Sequence, residues 1–305
     1  FVPNNMYFTT RRMHQEFAGG IWADFVVSEA YDPRSGFKFK GNVDTKKLAV
    51  FINKKEAKQI AYLSIEASVN MAGGQPFSLS NLREVRKISK KYRIPLYLDV
   101  TRIFENAYFI QRHEPGYQNK TIRQITREIT ALSDGCTMSA KKDAVANIGG
   151  FLAMNDAEFF CKAKEMVVAY EGLHTYGGMA GRDMEAVAIG LQEFSRDEEV
   201  AYYISQIEYL GSQLEKNGIP IAHPVGAHAV FIDAKRFLPH VPQEQFPAQR
   251  LVAEIYIESG VRSMERGIVS GQHGTEPYNG LELVRLTLPR RVYSREHLDI
   301  VVDGI

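Results

Sequence analysis

The sequence predicts an α/β fold: a mostly parallel sheet with helices on both faces, followed by a smaller C-terminal α+β domain. Apolar, β-branched or aromatic runs alternate with amphipathic helical patterns along the first part of the chain, as in βαβ units. After about Asp183 the pattern changes to two long helices and then to short strands and helices. We therefore expect a large domain over residues 1–190 and a small domain over residues 191–305.

Five segments of the first part have the composition of strands, and polar helix starts lie between them. The predicted strands are Trp22–Val27, Ile60–Ser68, Pro95–Val100, Cys136–Ser139 and Phe151–Met154. Asn81 with Glu84, and Thr121 with Gln124, have the spacing of capping boxes at helix starts. Gly135 is predicted to end the helix that begins at Thr121.

The second part begins with two long helical patterns and ends in a third. The long helices are expected over Asp183–Phe194 and Asp197–Lys216, and a strand over Ala229–Asp233. Pro247 and Gly260 have the residue types that begin and end a helix. Two further strands and a helix from near Ser294 follow. Because this last pattern continues to the end of the sequence, and the first residue is not Met, we expect a portion of a longer polypeptide.

Composition excludes several classes of partner. The 305 residues are 45% hydrophobic and 24% charged, with a net charge of +1, so nothing favours a nucleic acid or an anionic membrane. No apolar run approaches the roughly 18 residues of a membrane span, and no signal peptide is visible. Cys136 and Cys161 lack metal-ligand spacing and are expected to be free thiols. These features favour the cytoplasm.

Polar side chains follow three predicted strands at the point where each strand ends. Asp99 and Arg102 lie at the end of one strand, Asn70 follows another, and Ser139 precedes the lysine doublet 141–142. In a parallel sheet, ligands bind beyond the carboxyl ends of the strands. An acid, an amide, a hydroxyl and an amine are therefore expected at one edge of the sheet.

Pyridoxal phosphate needs this set of groups. It requires a lysine for its Schiff base, a carboxylate for its ring nitrogen and hydroxyls for its phosphate. Asp99 would be the carboxylate, Asn70 and Arg102 would face the ring oxygen, and Ser139 would face the phosphate. Simpler interpretations exist for each residue alone: a lysine pair is usually a solvated corner, and Asp or Asn at a strand end is usually a turn former. Strand-end geometry does not choose between the two lysines.

Several motifs resemble the β-eliminating lyases, a family that includes enzymes releasing phenol from tyrosine and enzymes releasing indole from tryptophan. The matching segments run almost from end to end: SVNMAGGQP, YLDVTRIFENAYFI, DGCTMSAKKD, NIGGF, YGGMAGRDMEA, GAHAVFIDA, FPAQ and VRLTLPRRVY. The resemblance implies the aspartate-aminotransferase-like fold (pyridoxal-phosphate fold type I). It also implies a homotetramer whose active sites are shared between paired subunits, and a monovalent cation such as K⁺.

The resemblance assigns roles to residues that match the family's motifs. It puts the Schiff base on Lys142 rather than on Lys141. The remaining cofactor contacts that it implies are Asp99 at the ring nitrogen, Arg102 and Asn70 near the ring hydroxyl, Phe8 stacked on the ring and Ser139 at the phosphate. Arg285 matches the arginine that binds the substrate carboxylate, a role suited to a bidentate donor. Asn147 falls where a backbone carbonyl binds the cation.

Two residues bear on the choice within the family. In GVRSMERGIV, Arg266 stands where the phenol-releasing members have an arginine facing the phenolic oxygen, and Thr9 matches the threonine that accompanies it. An indole-releasing enzyme has an apolar residue there. The resemblance thus implies β-elimination of L-tyrosine to phenol, pyruvate and ammonia; an indole-releasing or other β-lyase with S-alkyl cysteine substrates is the alternative. By composition alone, Arg266 would be a surface arginine.

The sequence also departs from the family. Relatives have an earlier segment that supplies a phosphate-binding loop, a tyrosine general acid and other cation ligands, and a later segment that closes over the substrate. Leu173 and His174 replace a Met-Pro pair of the family. A non-catalytic scaffold is therefore a third hypothesis, against which the presence of Lys142, Asp99 and Arg285 argues.

Overall fold

A six-stranded sheet forms the centre of the first part of the molecule. The structure, a computed structural model, describes residues 1–173, 177–270 and 280–305; His174 lies outside them. The strand order is β2-β1-β3-β4-β5-β6, and every neighbouring pair is parallel except β5 with β6. The elements are β1 Val2–Asn4, α1 Thr9–Phe17, β2 Trp22–Asp24, α2 Thr45–Lys55, β3 Leu63–Glu66, α3 Leu79–Tyr92, β4 Leu96–Asp99, α4 Ile103–His113, α5 Ile122–Thr130, β5 Gly135–Ser139, β6 Gly150–Met154 and α6 Ala157–Tyr170.

A second, three-stranded sheet with the antiparallel order β7-β9-β8 forms in the later part of the chain. The elements are α7 Gly181–Phe194, α8 Asp197–Lys216, β7 Ala229–Asp233, α9 Ala234–Phe237, α10 Pro247–Ser259, β8 Met264–Arg266, β9 Leu283–Thr287 and α11 Arg295–Asp303. Two sheets of this kind agree with the predicted α/β and α+β parts. One buried apolar cluster includes residues of both sheets, such as Leu98 and Val284, and the division near residue 190 stays a prediction.

The five predicted strands form, and one strand was not predicted. β1, residues 2–4, is too short for a periodic pattern, yet it pairs with both β2 and β3. β1 is a strand because it pairs with these two neighbours; its own composition does not predict one. The predicted helix bounds at Pro247 and Gly260 are also confirmed, since α10 begins at Pro247 and Gly260 caps its end.

Of the two predicted capping boxes, the one at Thr121 is confirmed and the one at Asn81 is wrong. α3 begins three residues earlier, where Ser78 accepts a hydrogen bond from the Asn81 amide. The Asn81 side chain instead pairs with the backbone of Val43. Glu114 accepts hydrogen bonds from the amides of Leu79 and residue 80, so a tertiary contact satisfies the first turn and sets the helix start.

Gly135 does not end a helix, as the sequence had suggested. α5 ends at Thr130, and Gly135 is the first residue of β5. A Cβ atom at Gly135 would lie 2.5 Å from both the Tyr97 ring and the Ala153 carbonyl oxygen. The glycine is therefore needed for close packing within the sheet.

Two further sequence expectations can be compared with the structure. Cys136 and Cys161 are free thiols, as predicted. Within the described ranges, no helix is long and apolar enough to cross a membrane.

Candidate active site

A cavity of about 1030 Å³ opens at the carboxyl ends of the parallel strands. Six of the residues singled out in the sequence line it: Phe8, Asp99, Arg102, Ser139, Lys141 and Lys142. β4 places Asp99 at its last position, and β5 does the same for Ser139. Because β4 and β5 are parallel neighbours, the acid and the amine meet at one edge, as the strand-end rule predicted.

The two adjacent lysines have different environments. Lys141 is exposed, as expected of a solvated corner, whereas Lys142 is half-buried and its Nζ donates a hydrogen bond of 2.9 Å to Ser139 Oγ. Burial, with the nearby charges of Arg102 and Lys141, lowers the pKa of Lys142 to about 8. A substantial fraction of this amine is therefore neutral near physiological pH, as a nucleophile or general base requires.

Asp99 has both a turn-forming contact and a place in the cavity. Its Oδ1 accepts a hydrogen bond of 3.0 Å from the Thr101 amide, and the Thr101 hydroxyl accepts one from the Ser139 amide. These bonds join the ends of β4 and β5. Arg102, the next side chain along, is buried and begins α4, so its charge lies in the cavity wall.

Arg11 and Glu66 also belong to this cavity and were not singled out from the sequence. Arg11 Nη2 donates to Glu66 Oε2 over 2.9 Å, and its Nη1 lies 3.6 Å from Asp99 Oδ2. Burial raises the pKa of Glu66 to about 7, although the positive charge of Arg11 opposes that shift. A charged residue at the last position of β3 was the signal that could have identified Glu66.

Asn70 and Arg285 connect the two sheets beside the cavity. Asn70, buried in a short turn after β3, accepts a hydrogen bond of 3.1 Å from Arg285 Nη1 on β9. Burial, with the neighbouring Arg266 and Arg102, lowers the pKa of Arg285 to about 9. Among the described residues, Asn70 Nδ2 and Arg285 Nε have no hydrogen-bond partner. Both donors are therefore buried without a hydrogen bond among the described residues.

Arg266 is buried, with 5% of its surface exposed, so the surface-arginine interpretation is wrong. Its Nη1 donates to the Glu265 carbonyl oxygen over 3.0 Å. The Thr9 hydroxyl donates to the Ser270 carbonyl oxygen over 3.3 Å, and the Ser270 hydroxyl bonds to Glu265. Thr9 is thus linked through Ser270 to Glu265, the residue before Arg266, and its predicted pairing with Arg266 stays a prediction.

His228 is another residue that the sequence reasoning missed. It is buried at 1% exposure, and neither ring nitrogen has a partner among the described residues. Burial, followed by the charges of Arg102 and Arg285, lowers its pKa well below the usual value. The imidazole is therefore neutral in a site that is rich in cations.

Asn147 is the sequence candidate that lies apart from these groups. It is exposed in the segment between β5 and β6. Its predicted part in a cation site stays a prediction.

Comparisons with known proteins agree with this arrangement. Residues 2–303 match the family model described as beta-eliminating lyase. Curated relatives named tyrosine phenol-lyase are 54% identical in Symbiobacterium sp. (strain SC-1) and 53% identical in Nostoc punctiforme and in Fusobacterium nucleatum. Each comparison covers 100% of this chain and 68%, 66% and 67% of the relative, respectively, so the chain spans about two thirds of their length.

A solved structure also resembles the whole fold. It is a chain of the complex between SepCysS and the N-terminal domain of SepCysE, with a TM-score of 0.60 and 13% sequence identity, covering 99% of this chain and 72% of that one. At that identity the likeness concerns the fold alone, and it confirms the predicted fold class. The family match over residues 2–303 and the relatives at 53–54% identity establish that this chain belongs to the β-eliminating lyases.

Proposed function

We propose that this chain forms the catalytic core of a pyridoxal-phosphate-dependent carbon-carbon lyase that splits L-tyrosine into phenol, pyruvate and ammonia. The observation that carries the proposal is the half-buried Lys142, facing the same cavity as Asp99 and Arg102. The names of the relatives support the choice of substrate. An amine with a lowered pKa beside a carboxylate at the end of a parallel sheet suits this chemistry.

The donor set fits pyridoxal phosphate, the cofactor of the family. Asp99 supplies the anion for the ring nitrogen, Ser139 a hydroxyl for the phosphate, and Phe8 a ring in the cavity wall. Asn70 Nδ2 and Arg102 Nε are buried donors without a partner among the described residues. Such groups are costly to bury, and a ring oxygen would satisfy them.

Lys142 would act twice in this reaction. Its Nζ would first hold the cofactor covalently, and after the substrate amine takes that place it would accept the proton from the substrate Cα. The surrounding cations favour the neutral amine that both steps need. When bound, the cofactor withdraws electrons from the substrate Cα.

The arginines would orient the substrate. Arg285 would bind the α-carboxylate through its planar fork, and Arg266 would stabilise negative charge on the phenolic oxygen as phenol leaves, with Thr9 beside it. The lowered pKa values of Arg285 and Arg266, both caused first by burial, reflect a site where an anionic ligand is strongly favoured.

The two alternatives make different demands on the site. An indole-releasing lyase needs an apolar wall for its ring, and a buried guanidinium at position 266 is unsuited to that role. S-alkyl cysteine is compatible with this site as a second substrate, because its leaving group has no phenolic oxygen for Arg266 to bind. A non-catalytic scaffold would gain nothing from buried, unneutralised cations, which cost stability.

The decisive experiment uses the full-length protein reconstituted with pyridoxal phosphate. The wild-type protein should show the visible absorbance band of a lysine-linked cofactor and release phenol from tyrosine. Lys142→Ala should show neither, whereas Lys141→Ala should keep the band because its side chain is solvated. A normal band in Lys142→Ala would refute the assignment.

Substitution of Arg266 tests the substrate. Arg266→Met should reduce the rate of tyrosine cleavage by at least about a hundredfold, the typical loss for one group that stabilises transition-state charge. Cleavage of an S-alkyl cysteine should change little, because its leaving group has no phenolic oxygen. Equal losses for the two substrates would contradict the role of Arg266.

We also propose a K⁺ site at the Asn147 carbonyl, a homotetramer with shared active sites, and a cytoplasmic location. Exposed apolar side chains on β6 and α6, including Phe151, Phe159 and Phe160, support burial of this face in an assembly. The free thiols agree with a reducing compartment. Exchange of K⁺ for Na⁺ and sedimentation analysis of the full-length protein would test the first two points.

A further inference from the structure

Three charged side chains form a buried cluster behind the cavity. Arg290 Nη2 donates a hydrogen bond to Glu105 Oε1 and another, of 2.7 Å, to Asp143 Oδ1. The side chains of both acids are 0% exposed and that of Arg290 is 9% exposed. We call these three residues the Arg290 cluster.

Burying the Arg290 cluster costs free energy that a purely structural role does not explain. Removing charges from water costs several kcal/mol per ion unless partners compensate. Here the guanidinium also lies between two aromatic rings, 4.9 Å from the centre of Phe194 and 4.7 Å from that of Tyr203. Two carboxyls and one guanidinium leave one excess negative charge. Burial raises the pKa of Asp143, and the positive charge of the nearby Arg102 lowers it.

One member of the cluster is the residue after Lys142. Asp143 Oδ2 accepts a hydrogen bond of 2.8 Å from the Phe104 amide in the first turn of α4, and Asp143 Oδ1 accepts the one from Arg290. Each oxygen of this carboxylate thus has its own donor, on a different segment. The side chain of Asp143 therefore determines where the backbone of Lys142 lies relative to α4.

Arg290 connects this point to the second sheet. It follows β9 by three residues, and β9 carries Arg285. The Tyr203 hydroxyl donates to the Leu288 carbonyl oxygen over 2.6 Å, which fixes the segment between β9 and Arg290. One ion pair thus joins the strand that carries Arg285 to the turn that carries Lys142.

We infer that Asp143 is a positioning residue for Lys142, and that Arg290 sets the position of Arg285 relative to that lysine through its pairing with Asp143 and Glu105. This inference rests on the proposed function, because it gives both cationic residues a task in one reaction. Small displacements of such groups reduce rates strongly, since reacting atoms must meet at near-contact distance.

Two variants and one control test this inference in full-length holoenzyme. Asp143→Asn keeps the shape of the side chain and removes its charge. Arg290→Lys keeps the charge on a shorter side chain, without the planar guanidinium that lies between Phe194 and Tyr203. Arg291→Lys is the matched control, because Arg291 is adjacent and forms exposed ion pairs with Glu193 and Glu199.

We expect both cluster variants to lower kcat for tyrosine by about tenfold or more, with a larger isotope effect for α-deuterated substrate because proton transfer to Lys142 becomes slower. Arg290→Lys should also raise KM, since β9 loses its anchor. Arg291→Lys should match the wild type. A lower Tm in Asp143→Asn and Arg290→Lys with unchanged kcat and isotope effect would overturn the inference.

A second readout does not depend on the lyase reaction. The rate at which pyridoxal phosphate becomes linked to Lys142 in the cofactor-free protein should fall several-fold in Asp143→Asn and Arg290→Lys but not in Arg291→Lys. If linkage follows this pattern while tyrosine is not cleaved even by the wild type, the proposed substrate fails and the positioning role stands. If linkage is equal in all four proteins, the positioning role fails. Should Asp143→Asn not fold, Arg290→Lys gives the same comparison.

Discussion

Single residues in this site differ in function because they differ in burial, even when they are adjacent and identical. Lys141 is exposed and Lys142 is half-buried, so only Lys142 has the lowered pKa and the contact with Ser139. The sequence predicted an amine at this edge of the sheet from the strand-end rule. It could not choose between the lysines without the family resemblance, because burial depends on how the turn packs.

Glu66 gives a pH-dependent prediction at this scale. Its pKa is raised from 4.5 to about 7 by burial, while Arg11 and Arg102 lower it and Asp99 raises it. Between these pH values the folded chain retains a proton that the unfolded chain has released. The free energy of unfolding therefore falls as the pH rises from about 4.5 to 7, by about 3 kcal/mol from this group.

Glu66→Gln should remove this contribution of Glu66 to the pH dependence of the unfolding free energy. Its urea-unfolding free energy should decline less steeply between pH 4.5 and 7 than that of the wild type. Glutamine has one acceptor oxygen where Glu66 has two, so it keeps the bond from either the Asn70 amide or Arg11. The slope of stability with pH, rather than the stability at any one pH, is therefore compared. Superimposable pH profiles for the two proteins would mean that Glu66 is not protonated in the folded state.

Residues whose partners are distant in sequence could not be predicted. Arg290 contacts Glu105 and Asp143, which are 185 and 147 positions away, and no local pattern marks it. Asp99 and Ser139 were predictable because strand ends carry them. Glu66 could have been noticed by the same rule, since it is the last residue of β3.

At the scale of elements, helix α7 packs tightly against the chain that follows Lys142. A Cβ atom on Gly190 would lie 1.8 Å from the Ala144 carbonyl oxygen, a distance that cannot occur. The helix and residues 142–145 therefore approach each other only because position 190 has no side chain.

Gly190→Ala should destabilise the protein, although alanine is a better helix former than glycine. Alanine gains up to about 1 kcal/mol of helix propensity over glycine, but the clash should cost about 1–3 kcal/mol in displaced structure and should slow cofactor linkage to Lys142. Urea unfolding and the growth of the visible band measure the two effects. Gly181→Ala, in the same helix with nothing within 4 Å of the added Cβ, is the control. Equal stability of the two variants would contradict the packing argument.

Elements with a strong periodic pattern were predicted well, and their ends were predicted less well. α8 has the predicted bounds Asp197–Lys216, and β7 has the predicted bounds Ala229–Asp233. α3 begins earlier than predicted because Glu114, more than 30 residues away, binds its first amides. Boundaries therefore depend on tertiary contacts, whereas the existence of each element depends on its own pattern.

At the scale of the whole molecule, the two sheets meet around an excess of positive charge. Lys142, Arg102, Arg266 and Arg285 lie near one another, and each of the last two has a pKa lowered first by burial. Such a cluster weakens the ligand-free protein and strengthens the binding of anions. The fold class could be predicted from the alternation of strand and helix patterns, and the place of this site from the strand ends. The meeting of β9 with the large sheet could not, because it depends on contacts across more than 200 residues such as Arg285 with Asn70.

Arg285→Met tests this balance between stability and function. Arg285 has one hydrogen bond to Asn70 and one to the Met264 sulfur, and its Nε has no partner among the described residues. Replacing it with an apolar side chain should raise the unfolding free energy of the cofactor-free protein by about 1–2 kcal/mol and abolish binding of carboxylate-bearing substrate analogues. Arg86→Met is the contrasting variant: Arg86 binds both oxygens of Asp134, so its loss should destabilise the protein. An equal loss of stability in both variants would mean that Arg285 stabilises the fold and that the excess positive charge at the site does not oppose folding.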